Sequence, residues 1–220
     1  MLAETIEAVF ATSAQTEGPA APEHVAVADI AVLFTDLKGS SALYRRVGDA
    51  AAYGLIRRHF DLLSAIIVAD DGALVKTIGD AVMAVFAAPH LALKAALEIQ
   101  SQAGRPEPDA AAGPYLTVKL GIHAGSALAV RSLGRDDYFG EVVNTAAQLR
   151  DLSKGGEIVL SQAVAEDPRV QPLLAQPLLA HHRLTRERIA LKGSDDIQPV
   201  ARISRCLKIA APAPPGARWN

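Results

Sequence analysis

At 220 residues, 50% of them apolar, the chain has material for one substantial core and is too short for two domains of ordinary size. A formal net charge of −2 excludes a general nucleic-acid binder, which needs Lys and Arg clustered against the phosphate backbone. The single cysteine, Cys206, excludes an internal disulfide and fits a reducing compartment. No apolar run approaches the roughly 18 residues that cross a bilayer, and the start Met1-Leu2-Ala3-Glu4 lacks the basic residues of a signal peptide. A cytoplasmic protein without a membrane span is expected.

Taken in chain order, Ile6, Val9 and Phe10 predict one apolar face of a short helix over about 3–14, and a linker rich in Pro and Glu follows over 16–23. A first strand is expected from about Asp29 to Asp36. Leu43, Val47, Leu55, Ile56, Phe60, Leu63 and Ile66 recur at helical spacing and predict a helix from Ser40 to about Ala69. Gly72 separates it from a strand pair, 73–77 and 81–86, with Gly79-Asp80 at the turn. Leu93, Ala96, Leu97 and Ile99 predict a second helix over about 91–102, and the Pro- and Ala-containing stretch 104–114 is expected to be loop. Strands follow at 116–123 and 126–130, then a helix from Glu141 to about Leu152. Short strands and a helix fill 158–204, and the Ala- and Pro-rich end, 210–217, reads as a disordered tail. The fold class is therefore α/β (α+β), with the βαββαβ order of a ferredoxin-like core followed by extra strands and a helix.

Two segments carry chemistry. In FTDLKGSS (34–41) and VKTIGDAVMAVF (75–86), a carboxylate stands where an apolar strand meets a Gly-containing turn. Asp36 follows Ile30-Ala31-Val32-Leu33-Phe34, and Asp80 follows Ile78-Gly79. Magnesium prefers octahedral oxygen coordination and takes one or two protein carboxylates, leaving the other positions to water and phosphate oxygens. Two Asp residues are about what such a site needs. Taken singly, each also suits a helix cap or a polar turn.

Together with DYFGEVVNTAAQLR (137–150), the ordered set FTDxxGS, KTxGD and DYFGxxVNxAA resembles the catalytic domain of the class III adenylyl and guanylyl cyclases, from about Val25 to about Ser204. The resemblance implies a palm-like fold and a division into an N-terminal helix and linker (1–25), a cyclase domain (26–208) and a tail (209–220). It implies two magnesium or manganese ions at the metal positions Asp36, Leu37 and Asp80, and a purine read by Lys76 and Asp137. It further implies a ribose oriented by Asn144 and outer phosphates bound by Lys192. Phosphates are also expected at the turn Lys38-Gly39-Ser40, where backbone N–H groups face the start of a helix. Ser40 and Ser41 replace the aromatic and Thr often found there. Metal and base-reading residues come from different subunits in the family, so a head-to-tail homodimer with two shared sites is expected.

One position departs from the pattern. The family places a transition-state Arg four residues after the Asn, and here that residue is Gln148. Arg150, two residues on from Gln148, lies about 200° around the helix from it and does not substitute without a register shift. Removing one well-aimed donor costs about 10²–10³ in turnover, or roughly 2.7–4 kcal/mol. Gln148 keeps an amide donor, so a slow or activation-dependent enzyme is expected. A catalytically impaired regulatory module is the alternative that Gln148 favours.

Hydrogen-bond chemistry favours ATP. Adenine presents an amino donor where guanine presents a carbonyl. A carboxylate at Asp137 accepts from that amino group while Lys76 donates to the neighbouring ring nitrogen, whereas guanine sets its carbonyl against the carboxylate. Guanylyl cyclase is thus the weaker reading. No general base is assigned. His123, within a predicted buried strand, reads as a satisfied core histidine, and His181-His182 as a solvated strand end.

Overall fold

The computed structural model describes residues 24–103, 116–132, 134–175, 182–192 and 197–205. The predicted N-terminal helix and linker, the loop over 104–114, Cys206, His181 and the tail lie outside the described residues. The strands are β1 (His24–Leu37), β2 (Ala73–Ile78), β3 (Ala81–Phe86), β4 (Val118–Ser132), β5 (Arg135–Phe139), β6 (Glu157–Ser161), β7 (His182–Ala190) and β8 (Ile197–Arg205). The helices are α1 (Ser40–Val47), α2 (Asp49–Ala69), α3 (Pro89–Gln102), α4 (Glu141–Leu152), α5 (Gln162–Ala165) and α6 (Gln171–Ala175).

One sheet runs β2-β3-β1-β4-β6-β8-β7, with β5 also paired to β4. Its first part, β4-β1-β3-β2, is antiparallel throughout and contains the expected ferredoxin-like βαββαβ unit. Strand β6 joins β4 in parallel, which α4 makes possible as the crossover between them. β8 and β7 extend that edge antiparallel.

Both faces of the sheet are covered, so β3 is buried at every residue and reads as a continuous apolar run. On one face Leu33, Phe86, Leu120 and Ile158 pack with Leu63 and Ile67 of α2 and Leu93 of α3. On the other, Ile30, Val32, Phe34, Met83 and Tyr138 pack against Val142 and Ala146 of α4. A third cluster, Leu149, Val159, Leu191 and Val200, ties the last turn of α4 to the β6-β8 edge. Among the described residues no helix is long and apolar enough to cross a membrane.

Two predicted elements differ from the structure, and one strand, β5, adds to them. The single helix over Ser40–Ala69 is two, because Gly48 adopts φ 79° and ψ 160°, a conformation open to glycine and costly for other residues. The strands at 116–123 and 126–130 are one continuous β4. Gly121 and Gly125 do not break it; they lie beneath α4, where a Cβ at Gly121 would stand 2.7 Å from both Ala146 O and Arg150 Cα. Asp137, also compatible with a turn, sits within β5, opposite Val130.

Candidate active site

The two carboxylates reach one end of the sheet by register. Thr35 of β1 pairs with Val82 of β3, so Asp36 and Leu37 lie beside Ala81 and Asp80 at the same strand ends. Gly79, at φ 64°, makes the β2-β3 turn that carries Asp80. Asp80 Oδ2 is buried and has no hydrogen-bond partner. Such an oxygen is expensive to leave unmatched, and a cation would match it. Asp36 Oδ2 lies 3.4 Å from Lys119 Nζ on the directly paired residue of β4. Leu37 is 3% exposed, which leaves its carbonyl as the only ligand it can offer. No group of three or more His, Cys, Asp or Glu suited to a metal occurs among the described residues. Two carboxylates at one strand end fit a hard cation such as magnesium, which takes one or two protein carboxylates, better than zinc, whose sites use three or four protein ligands.

The turn after β1 is held by Lys38 N donating to Thr117 O at 2.8 Å and by Gly39 at φ 77°. Gly39 precedes α1 without a side-chain cap, and Ser40 opens the helix.

Lys76 and Asp137 meet. Nζ of Lys76 is 2.6 and 2.7 Å from the two carboxylate oxygens of Asp137, and it also lies 5.5 Å from the centre of the Phe139 ring. Asp137 Oδ1 accepts from Tyr138 N as well, which fixes the carboxylate's direction. Both side chains are about one-third exposed, at 36% and 35%, so the ion pair is worth only about 0–1 kcal/mol and opens readily.

Asn144 is exposed on α4, and Gln148 follows one turn later with its amide oxygen buried and unpartnered. Lys192 is exposed beyond the end of β7, next to Leu191, whose packing on Leu149 brings this end of the chain to α4. Among the described residues no hydrogen bond or ion pair joins Asp36 or Asp80 to Lys76, Asp137 or Asn144. The predicted residues therefore form separate groups within one chain.

Lys119 escaped the sequence reading, as lysines in strands usually signal a solvated face; the signal was its place within the apolar run Val118-Lys119-Leu120. His59 of α2 was also missed. It is 5% exposed, its Nε2 has no hydrogen-bond partner, and burial pushes its imidazole down to about 4, against an opposing pull from Asp80. His123 is satisfied, as expected, with Nδ1 2.8 Å from Ser161 Oγ, and burial lowers its proton affinity too. His182 opens β7 and lines a cavity of about 670 Å³ together with Leu62, Ile66, Lys94 and Leu97. That cavity contains none of the predicted site residues.

His59 makes stability pH-dependent. The folded protein binds this proton less tightly than the unfolded chain, so the contribution is complete above about pH 6.5 and shrinks as pH falls toward 4, by up to about 3 kcal/mol. The thermal midpoint should fall over this window, and His59→Leu should flatten the profile. A wild-type midpoint that holds steady from pH 7 to 4.5 would contradict the assignment.

The sequence profile of the family described as Adenylate and Guanylate cyclase catalytic domain matches residues 23–198. The chain belongs to this family. An uncharacterised protein of Mycobacterium tuberculosis is 33% identical to the cyclase domain over 162 residues, covering 74% of this chain and 38% of that protein. An adenylate cyclase of Glutamicibacter nicotianae is 30% identical over 170 residues, covering 77% of this chain and 38% of the relative. The chain thus spans well under half the length of these curated relatives. The solved adenylyl cyclase CyaB from P. aeruginosa superimposes with a TM-score of 0.64 at 20% identity, over 84% of this chain and 98% of that one. The catalytic core of a rhodopsin-guanylyl cyclase with converted specificity, in complex with ATPαS, gives 0.68 at 20% identity, over 83% and 99%. At such identity the likeness shows the fold, and the fold agrees with the expected cyclase core.

Proposed function

We propose that the domain, taken as residues 26–208, is an adenylyl cyclase that converts ATP to 3′,5′-cyclic AMP and pyrophosphate at sites shared between two copies of the chain. The observation that carries this reading is the Lys76–Asp137 pair, a donor and an acceptor held at one place on neighbouring elements. Asp137 accepts from the adenine amino group and Lys76 donates to the adjacent ring nitrogen. Guanine offers Asp137 a second acceptor, and a polar site left mispaired discriminates strongly.

Asp36 and Asp80, with the Leu37 carbonyl, would hold two magnesium or manganese ions. When bound, these supply positive charge to the triphosphate and lower the proton affinity of the 3′-hydroxyl. The 3′-hydroxyl gives its proton to solvent water, its oxygen forms a bond to the α-phosphorus, the bond from that phosphorus to the oxygen bridging to the β-phosphate breaks, and pyrophosphate leaves with that electron pair. Asn144 orients the ribose, Gln148 donates to the α-phosphate, and Lys192 with the Lys38-Gly39-Ser40 turn binds the outer phosphates. Lys119, already beside Asp36, adds a cation at the metal end.

The shared site is supported by surface chemistry. Lys76, Asp137, Asn144 and Lys192 are solvent-accessible, and a site completed by a second chain is an open surface in one chain. Val27, Leu128 and Phe139 stand side by side across β1, β4 and β5 at 70%, 42% and 48% exposure. A contiguous apolar strip of this kind marks a protein contact.

The test is cyclic nucleotide formation from ATP and from GTP, in magnesium and in manganese. Cyclic AMP should dominate at a low rate. Gln148→Arg should raise turnover about tenfold or more, and it deletes a buried unpartnered acceptor, since arginine carries donors only. Dominant cyclic GMP would overturn the base assignment. ATP binding without product, in the wild type and in Gln148→Arg alike, would favour a regulatory module, the reading that Gln148 otherwise supports.

A further inference from the structure

We infer that Arg150 is a further phosphate-binding cation of the cyclase site, supplied by the subunit that carries the metal-end carboxylates rather than by its partner; this rests on the shared-site reading above. The sequence places Arg150 on the wrong side of α4 to replace residue 148, and the structure shows what that other side faces. The guanidinium lies 5.8 Å from the centre of the Phe34 ring, within the range of a cation–π contact.

Phe34 pairs with Gly121, and two residues along the same strands Asp36 pairs with Lys119. Residues two apart on a strand point to the same face and stand about 6–7 Å apart. Arg150 therefore sits one rung from Asp36 and Lys119, on the side of the sheet that α4 covers.

The seat is built for close approach. With no Cβ at Gly121, the backbone of α4 at Ala146 and Arg150 rests directly on β4, so the Arg150 side chain leaves its helix at the level of the sheet. Its side chain is largely shielded but keeps 18% exposure, and its polar partner is the neighbouring Asp151, at 2.8 Å. The Asp151 carboxylate of that pair is half-exposed, at 51%, so water competes for it and the guanidinium can exchange it for a phosphate. A planar guanidinium takes a phosphate through two parallel N–H···O bonds, which an ammonium cannot do. Lys119 and Arg150 would then flank the triphosphate chain from one subunit, and the charge missing at Gln148 would enter from the opposite wall of the site.

Mixed dimers decide the geometry. One chain carries Asp36→Asn and Asp80→Asn, and the other carries Lys76→Ala and Asp137→Ala, so a single site survives, with its carboxylates on the second chain. Arg150→Ala on that second chain should lower kcat/KM for ATP about ten- to a hundredfold. The same change on the first chain falls at the dead site and should alter nothing. The reverse pattern, or equal effects from both placements, overturns the inference. Absence of complementation overturns the shared-site reading instead, and Arg150 is then decided by pyrophosphate titration of the full-length protein in magnesium. There Arg150→Ala should weaken binding at least tenfold and Arg150→Lys should restore part of it. Unchanged pyrophosphate affinity, with only the thermal midpoint moved, assigns Arg150 to packing on Phe34 and overturns the proposal.

Discussion

Asp80→Asn should abolish cyclisation, by at least about 10²–10³-fold, while leaving the protein as stable as before or more so. Activity and stability part company because of one atom. Oδ2 of Asp80 is buried and no described residue hydrogen-bonds to it, so the folded chain carries a desolvated carboxylate oxygen without that compensation. Replacing the carboxylate by an amide removes the charge and with it most of that penalty, so the thermal midpoint without metal should hold or rise. Wild type should gain stability when magnesium or manganese is added, because a ligand that binds only the folded state stabilises it. The variant should lose that gain. Thermal unfolding with and without metal, beside a cyclic nucleotide assay, reads both effects. A variant that keeps its activity, or that unfolds several degrees earlier without metal, would remove Asp80 from the metal end.

Gly121→Ala should be among the most damaging single substitutions in the chain. Its Cβ would meet the backbone of α4, at 2.7 Å from Ala146 O and from Arg150 Cα and closer still to Arg150 N. Backbone cannot rotate out of the way as a side-chain tip can, so the helix must lift off β4 and uncover Val142, Ala146 and Leu149. Overpacking of this severity costs about 3 kcal/mol, or roughly 6–12 °C in the thermal midpoint of a domain this size. Activity should fall with it, as Asn144 and Gln148 ride on the displaced helix. Gly54→Ala is the contrast. Its Cβ meets only the Arg58 guanidinium, at 3.8 Å, within a helix, so it should stabilise by about 0.4–1 kcal/mol. If both substitutions have the same effect, the close approach of α4 to β4 is not what Gly121 provides.

Glycines also explain where the sequence is hard to read. Helix α4 was legible to its ends, Glu141 and Leu152, because Val142, Ala146 and Leu149 alternate with polar residues at helical spacing. Gly125, with Ala124, falls in the expected break between two strands, since a glycine between apolar runs usually marks a turn, whereas here Gly121 and Gly125 both lie within one strand, as contact points beneath a helix. Gly48 was the opposite case, a true break hidden within apolar residues that keep their helical spacing on either side of it. The ferredoxin-like order was legible because each strand of the βαββαβ unit is apolar enough to stand out. Among the candidate site residues, Asp36, Asp80, Lys76 and Asp137 stand out through their motifs, and only the resemblance assigns the last two, which do meet in the structure, to one task. Lys119 and His59 were not legible. Their roles depend on which residue lies opposite on a neighbouring strand or helix, and local spacing does not encode that.

The Lys76–Asp137 pair has a consequence for selectivity that precedes any ligand. While the site is empty, the two groups answer each other, so neither is left bare and the surface there is already close to its own optimum. A base that enters must replace both halves of that match at once. One that satisfies only the ammonium leaves the carboxylate worse off than it was in the resting chain, and such a base is rejected by comparison with no base at all. On the proposed reading, discrimination is therefore partly a property of the unliganded protein.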